Sequence, residues 1–180
     1  SNSKNSVVAH MTTGRGGLSD RNPIINALNF YRLRKNKHVP PIYKTGSRDE
    51  RLALLAGFLD ADGHYTRKGY DVVLKSEKLL EDIIFVARSL GFSAYKAASR
   101  KTCVNNGVAG DYWRCNISGN VDSIPCLLPR KKAAPRRQKK NNLVVGITVE
   151  AIGRGDYFGF ELDGDGLFLL GDFTVTHNTV

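Results

Sequence analysis

The residues best placed to do chemistry are the last but one group of the chain, His177-Asn178-Thr179, lying at the end of a β-rich stretch. An asparagine carboxamide can attack the carbonyl carbon of its own residue, closing a five-membered succinimide and expelling the amine of the next residue. A fold accelerates this by holding the amide in near-attack geometry and by supplying a proton donor to the leaving nitrogen or the developing oxyanion. His177 has the right chemistry for the donor, because imidazole titrates near neutrality. Thr179 adds a hydroxyl able to accept an acyl group arriving from upstream before the asparagine cleaves.

A second group with chemical potential lies in 55–63, Leu-Ala-Gly-Phe-Leu-Asp-Ala-Asp-Gly. Leu52, Leu55 and Leu59, with the small pair Ala56 and Gly57, are expected on one helical face that allows close approach of another helix. The helix is expected to stop at Gly63 after two acids. Carboxylates at a helix C-terminus oppose the macrodipole unless a cation compensates, and that conflict points to a metal.

The elements around these groups alternate between helical and strand patterns. Residues 64–76 read as a strand pair containing 70–74. Residues 77–90 carry Leu79, Leu80, Ile83, Ile84, Val86, Ala87 and Leu90 at helical spacing, closed by Gly91. Strands are expected over 93–103 and 111–118, joined by an Asn105-Asn106-Gly107 turn, with a short helix from about Asn120. Near the end, 157–162 and 167–176 read as two strands joined by the turn 163–166, Asp-Gly-Asp-Gly. Asp163 and Asp165 are read as turn residues, since the later ligands of a calcium loop are missing. Upstream, 23–34 reads as a helix.

The segment 55–63 closely resembles the LAGLIDADG motif of homing endonucleases. The resemblance implies two such helices packed together, each extending a carboxylate to divalent metal at the scissile phosphates. Asp62 matches the metal ligand, and Mg²⁺ suits its hard oxygen donors; Asp60 matches a structural position. It also implies an αββαββα half-domain whose strands form a saddle in the major groove of double-stranded DNA. On those strands lie Arg67, Lys68, Lys75, Lys96, Arg100, Lys101 and Arg114, with Tyr65, Tyr95, Tyr112 and Trp113 among them. Which of them face DNA depends on register. A family lysine that polarises the attacking water would fall at Lys131 or Lys132.

The last 35 or so residues resemble the C-terminal splicing region of inteins, the closing strands of an all-β Hint domain. His177, Asn178 and Thr179 match the penultimate histidine, the cyclising asparagine and the first flanking residue. Many inteins also carry an Asp and a His in the preceding strand region; here Gly159 and Gly166 or Leu167 stand there, which leaves more of the proton transfer to His177. No Cys or Ser start followed by Thr-x-x-His precedes the motif. The resemblance thus implies an α+β chain acting as the C-terminal piece of a split intein, needing an N-terminal intein fragment as partner and no cofactor for splicing. A homodimeric stand-alone endonuclease and a non-catalytic DNA-binding relic are the rival readings.

The expected organisation is a tail over 1–20, an adapter over 21–45, the endonuclease half over 46–130, a basic linker over 131–142, the splicing segment over 143–178 and flank at 179–180. Met11 is the only methionine, so residues 1–10 read either as an expression leader or as a cut in mid-protein. With 27 Lys and Arg against 17 Asp and Glu, the net charge of +10 favours a polyanionic partner. The run 130–140 contains no acid and reads as a solvated linker that also contacts phosphate. Three cysteines, Cys103, Cys115 and Cys126, lack zinc spacing and read as reduced, buried thiols of an intracellular, cytoplasmic protein. No apolar run is long enough to span a membrane. His64 reads as a strand residue beside the motif, and His38 as surface.

Overall fold

Ser47 opens the helix that carries the acidic motif. Its hydroxyl accepts from the amide of Glu50 at 3.3 Å, and the Glu50 carboxylate accepts from the amide of Ser47 at 2.7 Å. This reciprocal cap satisfies two amides that a helix start leaves orphaned. In the computed structural model, which describes residues 22–102, 107, 109–135, 137–139, 141–144, 146–156 and 158–177, the chain divides into a unit ending at His38 and a unit beginning at Val39.

The first unit contributes helix α1, Pro23–Phe30, capped by the Asn22 side chain on the amide of Ile24 at 3.0 Å. It is shorter than the 23–34 that the apolar spacing predicts. Arg32 and Lys35 sit at φ 54° and 58°, outside the helical region. The Nδ1 of His38 lies 2.9 Å from the carbonyl of Asn36.

The second unit runs through α2, Pro41–Lys44; α3, Arg48–Asp62; β1, His64–Tyr65; β2, Tyr70–Leu74; α4, Glu77–Ser89; β3, Ser93–Thr102; and β4, Ala109–Ser118. The strands form an antiparallel sheet in the order β1-β2-β4-β3. Tyr70 pairs with Ile117, which pairs with Ala94; Val72 pairs with Cys115, which pairs with Lys96. Side chains directly opposite one another share a face. Tyr70, Val72, Ala94, Cys115 and Ile117 therefore lie together, packed against Leu55 and Leu59 of α3 and Leu80, Ile83 and Val86 of α4. Both helices cover this one face and leave the other open.

Helix and sheet mix as expected for an α+β domain, but the last helix of the αββαββα order is absent among the described residues. Two short 3-10 turns, Val121–Ser123 and Pro129–Lys131, stand in its place. Pro125 and Pro129 explain this, since each removes an amide that a continuing helix would need. The Asn105-Asn106 turn and Cys103 lie outside the described residues. Cys115 and Cys126 are buried and free, and burial pushes the Cys115 thiol up to about 12.

A two-stranded ribbon closes the described chain: β5, Leu167–Leu169, pairs with β6, Val175–His177. This corrects the expectation of a hairpin between 157–162 and 167–176. The chain reverses inside the second of those stretches, where Asp172 accepts from the amide of Thr174 at 3.0 Å and Phe173 takes φ 70°. Residues 158–162 form no strand; Phe160 instead rests on Phe168, ring centroids 4.9 Å apart. The ribbon's turn meets α4, with Phe173 edge-on to Phe85 at 4.8 Å and Arg88 donating to the Asp172 carbonyl at 3.3 Å.

Candidate nucleic-acid interface and catalytic residues

Alternation along α3 splits the small pair that sequence reasoning placed together. Ala56 is buried in the chain's own core, while Gly57 is exposed and nothing lies within 4 Å of where its Cβ would be. With Ala53 and Ala61, also exposed, Gly57 forms a stripe of small residues at i, i+4 and i+8 on the helix side away from the core. Asp62 is exposed at the end of the same helix.

The two acids of the motif have different surroundings. Asp60 accepts from the amides of Leu127 and Leu128 at 2.7 and 3.2 Å, tying the downstream segment to α3. The cation that the helix C-terminus requires is an ammonium: Lys131 donates to the carbonyls of Leu59, at 3.2 Å, and of Gly63. The macrodipole argument for a metal is thereby met by Lys131. A metal reading now rests on Asp62 itself. Two of the three Lys131 donors are engaged, leaving one N–H for a neighbouring group. Tyr70 donates to the Lys131 carbonyl at 2.6 Å, which fixes this lysine's backbone as well; burial pushes the Tyr70 phenol well up from its ordinary value.

Register decides which basic residues share the open face of the sheet. Val73 pairs with Arg114, which pairs with Ala97; Asp71 pairs with Asn116, which pairs with Tyr95; Lys101 pairs with Gly110. Arg114 and Lys101 thus belong to the open face. Lys96 does not, contrary to its grouping with the DNA-facing residues. Its register partners Val72 and Cys115 are core residues, and its ammonium bonds Glu77 and Glu81 of α4, both at 2.5 Å, above the Trp113 ring. Arg100 shares the Lys96 side and pairs with Asp111 at 3.7 Å. Both lie on the side of the sheet opposite to Arg114 and Lys101. Lys75 is exposed just after β2, and Arg67 is exposed in the β1–β2 turn at φ 49°.

That turn is fixed by Gly69, at φ +155°, where a Cβ would stand 2.1 Å from the Ile117 carbonyl oxygen. His64 pairs with Asp71 and is exposed on the open face. On the same face Asp71 accepts from Nε and NH2 of Arg114 at 2.6 and 3.1 Å, and from the Asn116 amide at 3.3 Å. Sequence reasoning missed Asp71 and Asn116. Both alternate with core residues, Val72 and Cys115, and that alternation was the available signal.

Residues 39–125, from the start of the second unit through α3, the sheet and α4, match the family model described as homing endonuclease. Over that span the chain is similar to homing endonucleases. The match contains Asp62 and the open sheet face, and it stops before Lys131 and the β5–β6 ribbon. Across a wider span, the chain is 23% identical over 175 residues to the homothallic switching endonuclease of Saccharomyces cerevisiae, covering 86% of this chain and 30% of that protein. It is 29% identical over 119 residues to an iron–sulfur cluster assembly SufBD family protein of Mycobacterium leprae, covering 62% of this chain and 14% of that protein. It is 33% identical over 95 residues to the replicative DNA helicase DnaB of Mycobacterium intracellulare, covering 52% of this chain and 16% of that protein. The chain spans less than a third of the length of each of these relatives.

Among the described residues no three His, Cys, Asp or Glu side chains converge. Asn178 and Thr179 lie outside the described residues. His177 ends β6 opposite Leu167, and its Nε2 is 3.0 Å from where a Gly166 Cβ would be, so the lack of a side chain there makes room for the imidazole. No helix among the described residues is long and apolar enough to cross a membrane.

Proposed function

We propose that the chain is half of a double-stranded DNA endonuclease, completed by a second helix of the α3 kind, with Asp62 as its metal-binding carboxylate. The observation that carries this reading is α3 itself: an exposed acid at its end and an empty small-residue stripe along its outer side, in a stretch similar to homing endonucleases. A single hard carboxylate fits Mg²⁺, which keeps most of its waters and takes one or two carboxylates plus substrate phosphate. Bound there, the ion would neutralise the scissile phosphate and lower the pKa of a water. Asp62 would hold the ion, the stripe would seat the second helix with its own carboxylate, and Lys131 ties the downstream segment to the end of α3. Lys101 on the open sheet face, with Lys75 and Arg67 beside it, supplies the charge that duplex DNA requires.

Incubating the chain with duplex DNA libraries in Mg²⁺ tests this. Nicking or double-strand cleavage that Asp62→Asn abolishes, without loss of binding, is the expected result. Binding without any cleavage, in a preparation that sedimentation shows to be paired, would overturn it.

A second reading, splicing at Asn178, is favoured by a specific observation. The stretches this chain shares with an iron–sulfur cluster assembly family protein and with a replicative helicase are 14% and 16% of those proteins, whose names describe unrelated activities. Such recurrence is what an inserted, self-removing element would produce. On this reading His177 donates a proton as Asn178 cyclises, Thr179 receives the upstream acyl group, and an N-terminal intein fragment completes the β-domain. Mass spectrometry of the chain mixed with such a fragment should show a ligated product that Asn178→Ala removes. An intact Asn178–Thr179 junction in the wild-type mixture would exclude it.

A further inference from the structure

Arg114 and Asp71 form a two-bond ion pair on the open face. Side-chain exposure is 50% for Arg114 and 14% for Asp71, so the carboxylate lies beneath and the guanidinium above it. Asp71 occupies Nε and one N–H of NH2, and Asn116 holds the same carboxylate from the side. A guanidinium has five N–H donors in a rigid plane. With two engaged, NH1 and the outer N–H of NH2 remain as a parallel pair at the far end of the plane. The cross-strand neighbours of Arg114, Val73 and Ala97, carry no group that could cover that end.

We propose that Arg114 reads a guanine through its O6 and N7 in the major groove and that Asp71 is the residue that positions it. This rests on the endonuclease reading above. Two parallel donors on one rigid plane are the match for the two adjacent acceptors that guanine alone presents there. The carboxylate directly beneath disfavours the alternative role, a phosphate contact, because it cancels the local charge and would repel a phosphate. Lys101, Lys75 and Arg67 form no ion pair with any described residue and are better suited to phosphate. Held by Asp71, the guanidinium has also lost most of its rotamer freedom before DNA arrives, so less is lost on binding.

The test begins with selection of preferred sites from a randomised duplex library by the wild-type chain. 7-Deazaguanine, which lacks the N7 acceptor, is then placed at each selected guanine in turn. One position should weaken wild-type binding markedly, and Arg114→Lys and Arg114→Gln should lose discrimination at that position by about 5- to 150-fold. Asp71→Asn should weaken the same guanine preference and no other. A site preference unchanged by the Arg114 variants and insensitive to 7-deazaguanine overturns this inference while leaving the endonuclease reading intact. Loss spread evenly over all sequences overturns it too, in favour of a phosphate contact. Failure of the wild type to bind any duplex overturns both. Because the 7-deazaguanine series uses unaltered protein, a variant that fails to fold does not remove the test.

Discussion

Gly57→Ala separates the stability of the chain from its ability to pair. In the chain alone the added methyl meets open space, and replacing an exposed mid-helix glycine by alanine removes backbone freedom from the unfolded state. The expected gain is about 1 kcal/mol, or roughly 2–4 °C in the unfolding midpoint. In a pair of α3 helices the same methyl sits in the contact. Closely packed helices tolerate added volume poorly, and overpacking costs roughly 1–3 kcal/mol per site. If two copies of the chain pair, the substitution is present twice, so association should weaken by roughly 2–6 kcal/mol, or about 30-fold to 10⁴-fold in Kd. Differential scanning fluorimetry at low concentration reads the first effect; sedimentation velocity across a concentration series, with Mg²⁺-dependent cleavage, reads the second. A variant that is stabilised and still pairs and cuts like the wild type would refute the assignment of the Ala53, Gly57, Ala61 stripe as a helix-pairing surface.

Three further outcomes follow from individual contacts. Asp82 is 3% exposed and accepts from the Val39 amide at 2.9 Å and from the ammoniums of Lys44 and Lys78 at 2.8 and 2.6 Å. Burial alone would raise its carboxyl, but these three donors hold it below its ordinary value. Asp82→Asn should therefore cost roughly 2–4 kcal/mol near neutral pH. The gap between wild type and variant should be full above the unfolded carboxylate value and shrink as pH falls through the lower folded one, which urea titrations at stepped pH would follow. Gly69→Ala should cost roughly 2–4 kcal/mol in chemical denaturation, because its Cβ would collide with the Ile117 carbonyl in the central β2–β4 pairing. Lys101→Ala should flatten the salt dependence of duplex binding by about one unit of slope, whereas Lys96→Ala should leave it unchanged, since Glu77 and Glu81 already neutralise that ammonium.

The order of elements from α3 through β4 was legible in the sequence because the helices have an apolar period and glycine stops, and the strands are bounded by turn residues. Gly63 marks the end of α3 and Gly91 that of α4, while the Ser47 and Ser76 caps came from the structure. What single-residue patterns could not supply was register. The strand 93–102 carries small and polar residues on both faces over most of its length, so nothing in it distinguishes Lys96, turned to α4, from Lys101, turned to the open side. The pairing of Ala56 with Gly57 failed for a similar reason: both are small, and adjacent helical positions stand 100° apart. The cation at the end of α3 was foreseen from the dipole but assigned to a metal, because Lys131 is remote in sequence and reaches Gly63 only through the 3-10 turn. The closing hairpin was misplaced because Asp-Gly-Asp-Gly is the stronger turn signal by composition, while the reversal occurs at 170–174 through an Asx bond and an aromatic residue in left-handed conformation.

The seat of that reversal ties the carboxyl-terminal arm to the helix-and-sheet fold. Phe173 leans on Phe85 and the Asp172 carbonyl on Arg88, so the strand that ends at His177 is steadied by α4, a helix remote in sequence from it. Substitutions at Asp62 or on the open sheet face would leave this support standing. Removal of the domain as a block would take it away, and whatever chemistry the closing residues perform would then have to find another footing.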